Sequence, residues 1–394
     1  MSQKLISLSP DLKRLRDEGY EIEARSDAYA LVHHVPYVNA KREIKYGTLV
    51  SDLILSANVT INPISNHVIH FCGEYPCDMH GSPIEGIRHQ EPNQRLDASI
   101  IMNYSFSNRP STGYANYYDK FIQYIKILSA PAQALDDSVT AQTYRPIESD
   151  QESQSVFHYY DTNSSRANIA PISRKLEGQK IAIIGLGGTG SYILDLIAKT
   201  PVAEIHLFDG DEFLQHNAFR SPGAPSLKTL EKREKKAKYF RDIYSHMHKG
   251  IHFHPEHLST NNIGNILFAD FVFIAIDKGT AKRVIVKVLL EHGKPFIDVG
   301  IGVDIVDESL IGQIRLTTAN QNKNDHVYDR ISFGDVEEDV YSTNIQIAEL
   351  NALNASLAVI QWKKLYGFYQ PSSFEFNSTH STYTGDLLNE DRHE

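Results

Sequence analysis

Cysteine is almost missing from this chain. Its 394 residues include two, Cys72 and Cys77, and none follows them. Two thiols cannot build a disulfide framework, and they exclude a zinc site made from paired Cys-x-x-Cys motifs. Long apolar runs are missing as well: no stretch reaches the roughly 18 apolar residues of a membrane span. The opening MSQKLISLSPDLKRLRDEGY lacks the apolar segment of a signal peptide. A cytoplasmic location is therefore expected, with no membrane partner. Positive charge is in deficit, with 39 Lys and Arg against 49 Asp and Glu and a formal charge of −10. That balance argues against general binding to nucleic acid or to an anionic lipid surface. It leaves room for one local basic segment, KTLEKREKKAKYFR at 228–241. No internal repeat is visible.

What is present is enough for two packed domains, since hydrophobic residues make up 41% of the chain. Residues 1–148 read as a smaller α+β domain, an accessory unit for docking a partner or substrate. YALVHHVPYV (29–38) and HVIHFC (67–72) read as strands, and GEYPCDMHGSPIEG (73–86) is turn-rich. YYDKFIQYIKIL (117–128) carries Phe121, Ile122, Ile125 and Leu128 at helical spacing. The polar stretches ESDQESQS and DTNSSRAN place a linker at 149–177.

The pattern changes at 178. KIAIIG is an apolar strand, SYILDLIAK a helix with Ile193, Leu196 and Ile197 on one face, and EIHLFD a second strand. FADFVFIAID, AKRVIVKVLLEHG and KPFIDVG continue the strand–helix–strand alternation. The expected fold of 178–369 is therefore α/β, a Rossmann-like parallel sheet. IQIAELNALNASLAVIQWKKLYG (345–367) predicts a long helix, and 370–394 a loose polar tail.

Between the first strand and helix stands GLGGTG. Gly185 permits the tight turn, Gly187 lets backbone approach a phosphate, and Gly190 lets helix and strand pack closely. The helix start then offers free N–H groups and partial positive charge to an anion. Asp209 ends the second strand, where an acid holds a ribose hydroxyl. These features serve NAD and ATP equally. The next residues discriminate: Gly188 doubles the glycine, Asp211 follows Asp209, and HNAFR supplies Asn217 and Arg220. Hydride transfer moves no phosphoryl charge and needs no arginine there. Attack of a carboxylate on an α-phosphate builds charge that placed cations stabilise. Each residue also has a plainer reading: Asp211 as a loop cap, Asn217 as a turn residue, Lys236 as part of a solvated charge run.

GLGGTG, Asp209/Asp211, HNAFR, Lys236-Ala237 and Asp277 occur in that order, and over 178–367 the chain resembles the ThiF/MoeB/ubiquitin-activating superfamily. The resemblance implies a ThiF-type adenylation domain using ATP and Mg²⁺. It assigns Gly185, Gly187, Gly188, Gly190, Asp209, Asp211 and Asn217 to nucleotide binding and Arg220 and Lys236 to the phosphates. Asp277 is implied at the Mg²⁺. It further implies a homodimer, with Arg166 as the arginine reaching the neighbour's ATP site. His216 replaces the superfamily's serine, Lys278 stands where asparagine is common, and Lys232 and Lys235 are alternatives to Lys236.

The implied reaction is adenylation of the C-terminal carboxylate of a ubiquitin-like protein, with transfer to a thiol. With no cysteine after Cys77, the acceptor is either a conjugating-enzyme-like or other thiol protein, or Cys77 itself as an acyl relay. The turn-rich surroundings of Cys77 suggest exposure, and Cys72, in a strand, reads as buried. Cys72, Cys77, His80 and His89 are too irregularly spaced to read as a zinc set. The N-terminal region resembles accessory regions of bacterial ubiquitin-like conjugation systems. Alternative readings are adenylation of a short peptide, a sulfur-carrier protein or a tRNA base, the last disfavoured by the charge of −10. A non-catalytic scaffold binding ATP or a ubiquitin-like tail is the reading from outside the enzyme class.

Overall fold

The computed structural model describes residues 2–25, 28–63, 66–96, 100–145, 155–159, 161–167, 169–334 and 345–392. The chain forms two compact units, Met1–Ser173 and Arg174–Glu394. Within the stretch read as a linker, residues 149–154, 160 and 168 lie outside the described residues, and short helical turns occupy Thr162–Arg166, Ala170–Ser173 and Arg174–Leu176.

The first unit is β-rich. Its six-stranded sheet runs in the order Ile22–Ala24, Tyr29–Val38, Ile44–Asp52, Val68–Cys72, Tyr104–Ser107, Arg88–Gln90, and the pairings are antiparallel. One helix, Tyr117–Leu135, packs on it. Asn116 caps this helix by accepting the Asp119 N–H at 2.8 Å. Phe121, Tyr124 and Leu128 recur at helical spacing and are fully buried against Val32, Leu49 and Phe106. Each such apolar side chain contributes about 1.5–3 kcal/mol relative to exposure.

The second unit carries the site. Strands Ile251–His254, Glu204–Phe208, Lys180–Ile184, Phe271–Ile274 and Phe296–Val306 lie side by side and parallel. The Ile, Val and Phe side chains of Lys180–Ile184, Phe271–Ile274 and the start of Phe296–Val306 are buried on both faces, as a helix-covered parallel sheet requires. Helix Gly188–Ile197 covers one face with Ile193, Leu194 and Ile197, and helix Gly279–Glu291 the other with Ile285, Val286 and Leu289. The long helix Ala348–Leu365 packs beside Gly188–Ile197 and buries Trp362, whose Nε1–H donates to Gln179 Oε1 at 3.2 Å.

The sheet is mixed rather than wholly parallel. Ser309–Ala319, Asn377–Ser381 and Leu387–Glu390 extend it antiparallel to a total of eight strands. The last two fall in the segment expected to be a loose tail. Their pairing rests on backbone and polar side chains rather than on an apolar face: Thr317 Oγ1 donates to Asn377 Oδ1 at 2.9 Å, and Phe376 is the apolar anchor at 4% exposure. The pattern NSTHS carries no alternation to betray a strand.

Candidate active site

The nucleotide turn is held by contacts only glycine permits at two points. Gly185 has φ of +87°, and a Cβ there would strike the Ala275 carbonyl of the neighbouring strand. A Cβ on Gly190 would strike the Gly185 carbonyl, so strand and helix meet backbone to backbone. Gly188 is closed off by the Asn351 side chain, whose Oδ1 accepts a hydrogen bond from Thr189 Oγ1 at 2.8 Å. Gly187 differs: a Cβ there would meet nothing within 4 Å. It faces an open cleft of about 460 Å³.

Elements from the parallel part of the sheet converge on that cleft. Gly185, Gly187 and Gly188 form one wall with the start of helix Gly188–Ile197, whose first N–H groups lack helical partners. Asp209, at the end of the next strand, is 6% exposed. Its Oδ2 accepts the Leu186 N–H at 2.7 Å and its Oδ1 the Asp211 N–H at 2.8 Å. Asp209 thus ties the glycine turn to the neighbouring loop while lining the cleft.

Lys236 opens helix Lys236–Tyr244 and is buried, with Nζ at 2.8 Å from Asp211 Oδ2 and 3.8 Å from Asp209 Oδ2. Among the lysines considered, it is the one in the cleft lining. Lys232 is exposed, and Lys235 donates to the Gly210 carbonyl at 2.7 Å. Burial works to raise the Asp211 carboxyl, but the Lys236 hydrogen bond and charge hold it below its ordinary value.

Arg220 lines the same cleft, half-buried, and its Nε has no hydrogen-bond partner. Burial lowers the guanidinium pKa, and the field of Asp277 offsets part of that effect. Asp277 follows strand Phe271–Ile274 at its carboxyl end, where parallel α/β sheets bind ligands. Gln346 Nε2 donates to Asp277 Oδ2 at 3.3 Å, while Gln346 Oε1 is buried without a partner.

Asn217 does not line the cleft. Its Oδ1 accepts the Leu214 N–H at 2.9 Å, and its carbonyl accepts from Arg220 N at 3.1 Å and Ser221 Oγ at 2.7 Å. It therefore shapes the loop that presents Arg220. Its Nδ2 is buried without a partner. Arg166 ends the short helix Thr162–Arg166, and its side chain lies outside the described residues.

Cys77, expected to be exposed, is 1% exposed. Backbone bridges to Val38 and Pro83 fold the turn over it, and its Sγ lies 3.6 Å from the Tyr75 carbonyl. Burial raises its thiol pKa, and that of Cys72 is pushed up to about 12 for the same reason. Neither environment favours a thiolate nucleophile.

Sequence reasoning missed Thr189, Glu256, His257, Gln346 and Asn351, and noted Lys278 without giving it a role. Glu256 and His257 follow the unrecognised strand Ile251–His254, and their position past a strand end was the available signal. Asn351, a buried polar residue on a long apolar helix, was legible as an oddity. Gln346 carried none, because only tertiary folding brings it to Asp277.

The sequence profile of the ThiF family matches residues 163–379, more than half of the chain. The chain belongs to the ThiF family. Its second unit accordingly has the Rossmann-like fold of the ThiF-type adenylyltransferases, and a separate β-rich domain precedes it in the sequence. Residues 10–162 match a domain of unknown function, DUF6791. No curated protein sequence matches the chain. Among solved structures this ThiF-family chain is similar to E. coli MccB with succinimide, at 17% identity and TM-score 0.44, covering 57% of this chain and 66% of that one. It thus spans slightly less than two thirds of that protein. E. coli MccB with MccA-N7isoASN gives 16% identity and TM-score 0.48 over 62% and 73% of the two chains. PaaA gives 17% and 0.44 over 56% and 75%. Likenesses at this level carry no inference about substrate. Among the described residues, no helix is long and apolar enough to cross a membrane.

Proposed function

We propose that the second unit binds ATP with Mg²⁺ in this cleft and adenylates a polypeptide C-terminal carboxylate, foremost that of a ubiquitin-like protein. The observation that carries the reading is Arg220, a half-buried guanidinium with an unpartnered Nε on the wall of a cleft that opens onto a helix N-terminus. Such a group is costly in the empty protein and is compensated by an anion. Lys236, Lys278 and the N–H groups of the glycine turn add positive potential around it. Asp209, in the cleft lining, would hold a ribose hydroxyl.

The residues beside Asp277 fit a hard cation: a carboxylate at a strand end, next to the orphaned amide oxygen of Gln346. Mg²⁺ held there by Asp277 would neutralise phosphate charge. In the reaction, a carboxylate oxygen of the substrate bonds to the α-phosphorus, and the bond to the bridging oxygen of pyrophosphate breaks. Arg220 and Lys236 stabilise the charge that builds on the phosphate oxygens. The acyl-adenylate then passes to a thiol, forming an acyl–sulfur bond as AMP leaves. With Cys77 buried, and Cys72 half-buried with its thiol pKa pushed up to about 12, that thiol belongs to another protein. The second reading, a short peptide as substrate, uses the same cleft and chemistry.

ATP with Mg²⁺ is expected to raise the melting temperature through binding to the native state. Labelled pyrophosphate is expected to exchange into ATP when the carboxylate substrate is supplied. Stabilisation by NAD with none by ATP refutes the reading.

A further inference from the structure

At the sheet edge away from the antiparallel strands, Glu204–Phe208 and Ile251–His254 run parallel, with His206 beside His252 and Phe208 beside His254. Alternation puts positions 204 and 206 on one face with 252 and 254. His206 Nε2 lies 2.9 Å from Glu204 Oε2, and its Nδ1 lies 3.0 Å from His254 Nε2. The His206 and His252 rings stack with centroids 4.6 Å apart, His254 stacks on Phe208 at 4.2 Å, and Phe268 covers His206 at 4.2 Å. Lys180 holds the other oxygen of Glu204 at 3.0 Å. One ligand atom from each of Glu204, His206 and His252 lies within 4.8 Å of the others. None of Glu204, His206, His252, His254 and Lys180 lines the nucleotide cleft.

We infer that Glu204, His206 and His252 form a binding site for a divalent transition-metal ion of the zinc class. Two imidazoles and one carboxylate, with a fourth position left to solvent, are a donor set that zinc accepts and that Mg²⁺ does not favour. His254 is the outer partner. When Nε2 of His206 gives its lone pair to the ion, Nδ1–H donates to His254 Nε2, which fixes tautomer and ring orientation as outer-shell acceptors do. Glu204 keeps one oxygen on Lys180 and turns the other to the ion. Tetrahedral zinc sets its ligands about 3.3 Å apart, so binding draws the trio together. His252 is exposed and free to make that movement. The ion would tie together two strands whose carboxyl ends lead to Asp209 and to Glu256, both in the cleft lining.

The test uses the full chain, stripped of metal with a chelator, desalted, and titrated with Zn²⁺ alone by calorimetry. One equivalent is expected to bind at micromolar or lower concentration and to raise the melting temperature. His252→Ala and Glu204→Gln should each abolish that equivalent while circular dichroism stays unchanged. His254→Phe, which keeps the stack but removes the acceptor, should weaken binding by about 10–100-fold. Absence of a stoichiometric site in the wild-type chain overturns the inference. So does a site that survives both His252→Ala and Glu204→Gln, because the ion would then sit on other residues.

Discussion

Replacing Arg220 by alanine separates the energetics of the empty protein from those of the reaction. In the empty cleft the guanidinium is half-buried, its Nε lacks a partner, and only the field of Asp277 offsets the desolvation. Its removal deletes a charge that costs stability, so the melting temperature should hold or rise. The reaction responds in the other direction. A single donor aimed at charge that develops during transfer supplies about 10²–10³ in rate, or about 2.7–4 kcal/mol. Pyrophosphate exchange in Arg220→Ala should fall by that factor in kcat with little change in the ATP concentration at half-saturation. Arg220→Lys should recover only part of the loss, because lysine restores the charge but not the planar donor fork. Two results refute the reasoning. One is unchanged exchange. The other is a raised KM with intact kcat, which makes the arginine a ground-state binder.

Gly187→Ala and Gly190→Ala should fail differently. The first adds a methyl to open space at the phosphate wall and should weaken ATP binding with the melting temperature kept, whereas the second collides with the Gly185 carbonyl and should cost roughly 1–3 kcal/mol of stability; equal effects of both on melting contradict this. Changing Cys72 and Cys77 together to Ala should leave pyrophosphate exchange intact, since the attacking group is the substrate carboxylate, and a folded double variant without exchange disproves it. In the first unit, Lys120 is buried, donates to Ser51 Oγ at 2.9 Å and Asn66 Oδ1 at 3.2 Å, and is pushed down to about 7 by burial against the pull of Asp52. From pH 7 to 9 the unfolded chain therefore keeps a proton that the folded chain has lost, so stability should climb with pH by up to about 1.4 kcal/mol per unit. Lys120→Met should flatten that slope, and a slope that persists in denaturant titrations of the variant assigns it to another group.

The parts of the fold legible in the sequence are those where one local pattern decides the structure. The strand Lys180–Ile184, the glycine turn and the helix Gly188–Ile197 announce themselves through an apolar run, special backbone geometry and helical spacing. The helix Tyr117–Leu135 does so through Phe121 and Leu128. Elements stabilised by long-range polar pairing stayed hidden. Asn377–Ser381 becomes a strand only because Gln313 to Thr317 offers it an edge. Cys77 was misjudged because glycine and proline mark a turn but do not say whether another strand covers it. Here Val38 does.

The same division runs through the cleft and explains its construction. Residues that fix backbone are recognisable because their chemistry is local: glycine where a carbonyl crowds the chain, aspartate at a strand end where backbone N–H groups need an acceptor. Residues that face the ligand acquire their character from placement. Lys236 sits in a basic run that reads as solvated surface, yet the helix it opens turns its ammonium inward to Asp211 and Asp209. That pairing gives the buried ammonium two acidic partners in the empty protein. A phosphate entering the cleft competes with Asp211, which is exposed and loses little by returning to water, whereas Asp209 remains held by the Leu186 and Asp211 N–H groups. The cation is thus stored against a partner that is cheap to displace, and the glycine turn beside it need not move when the anion arrives.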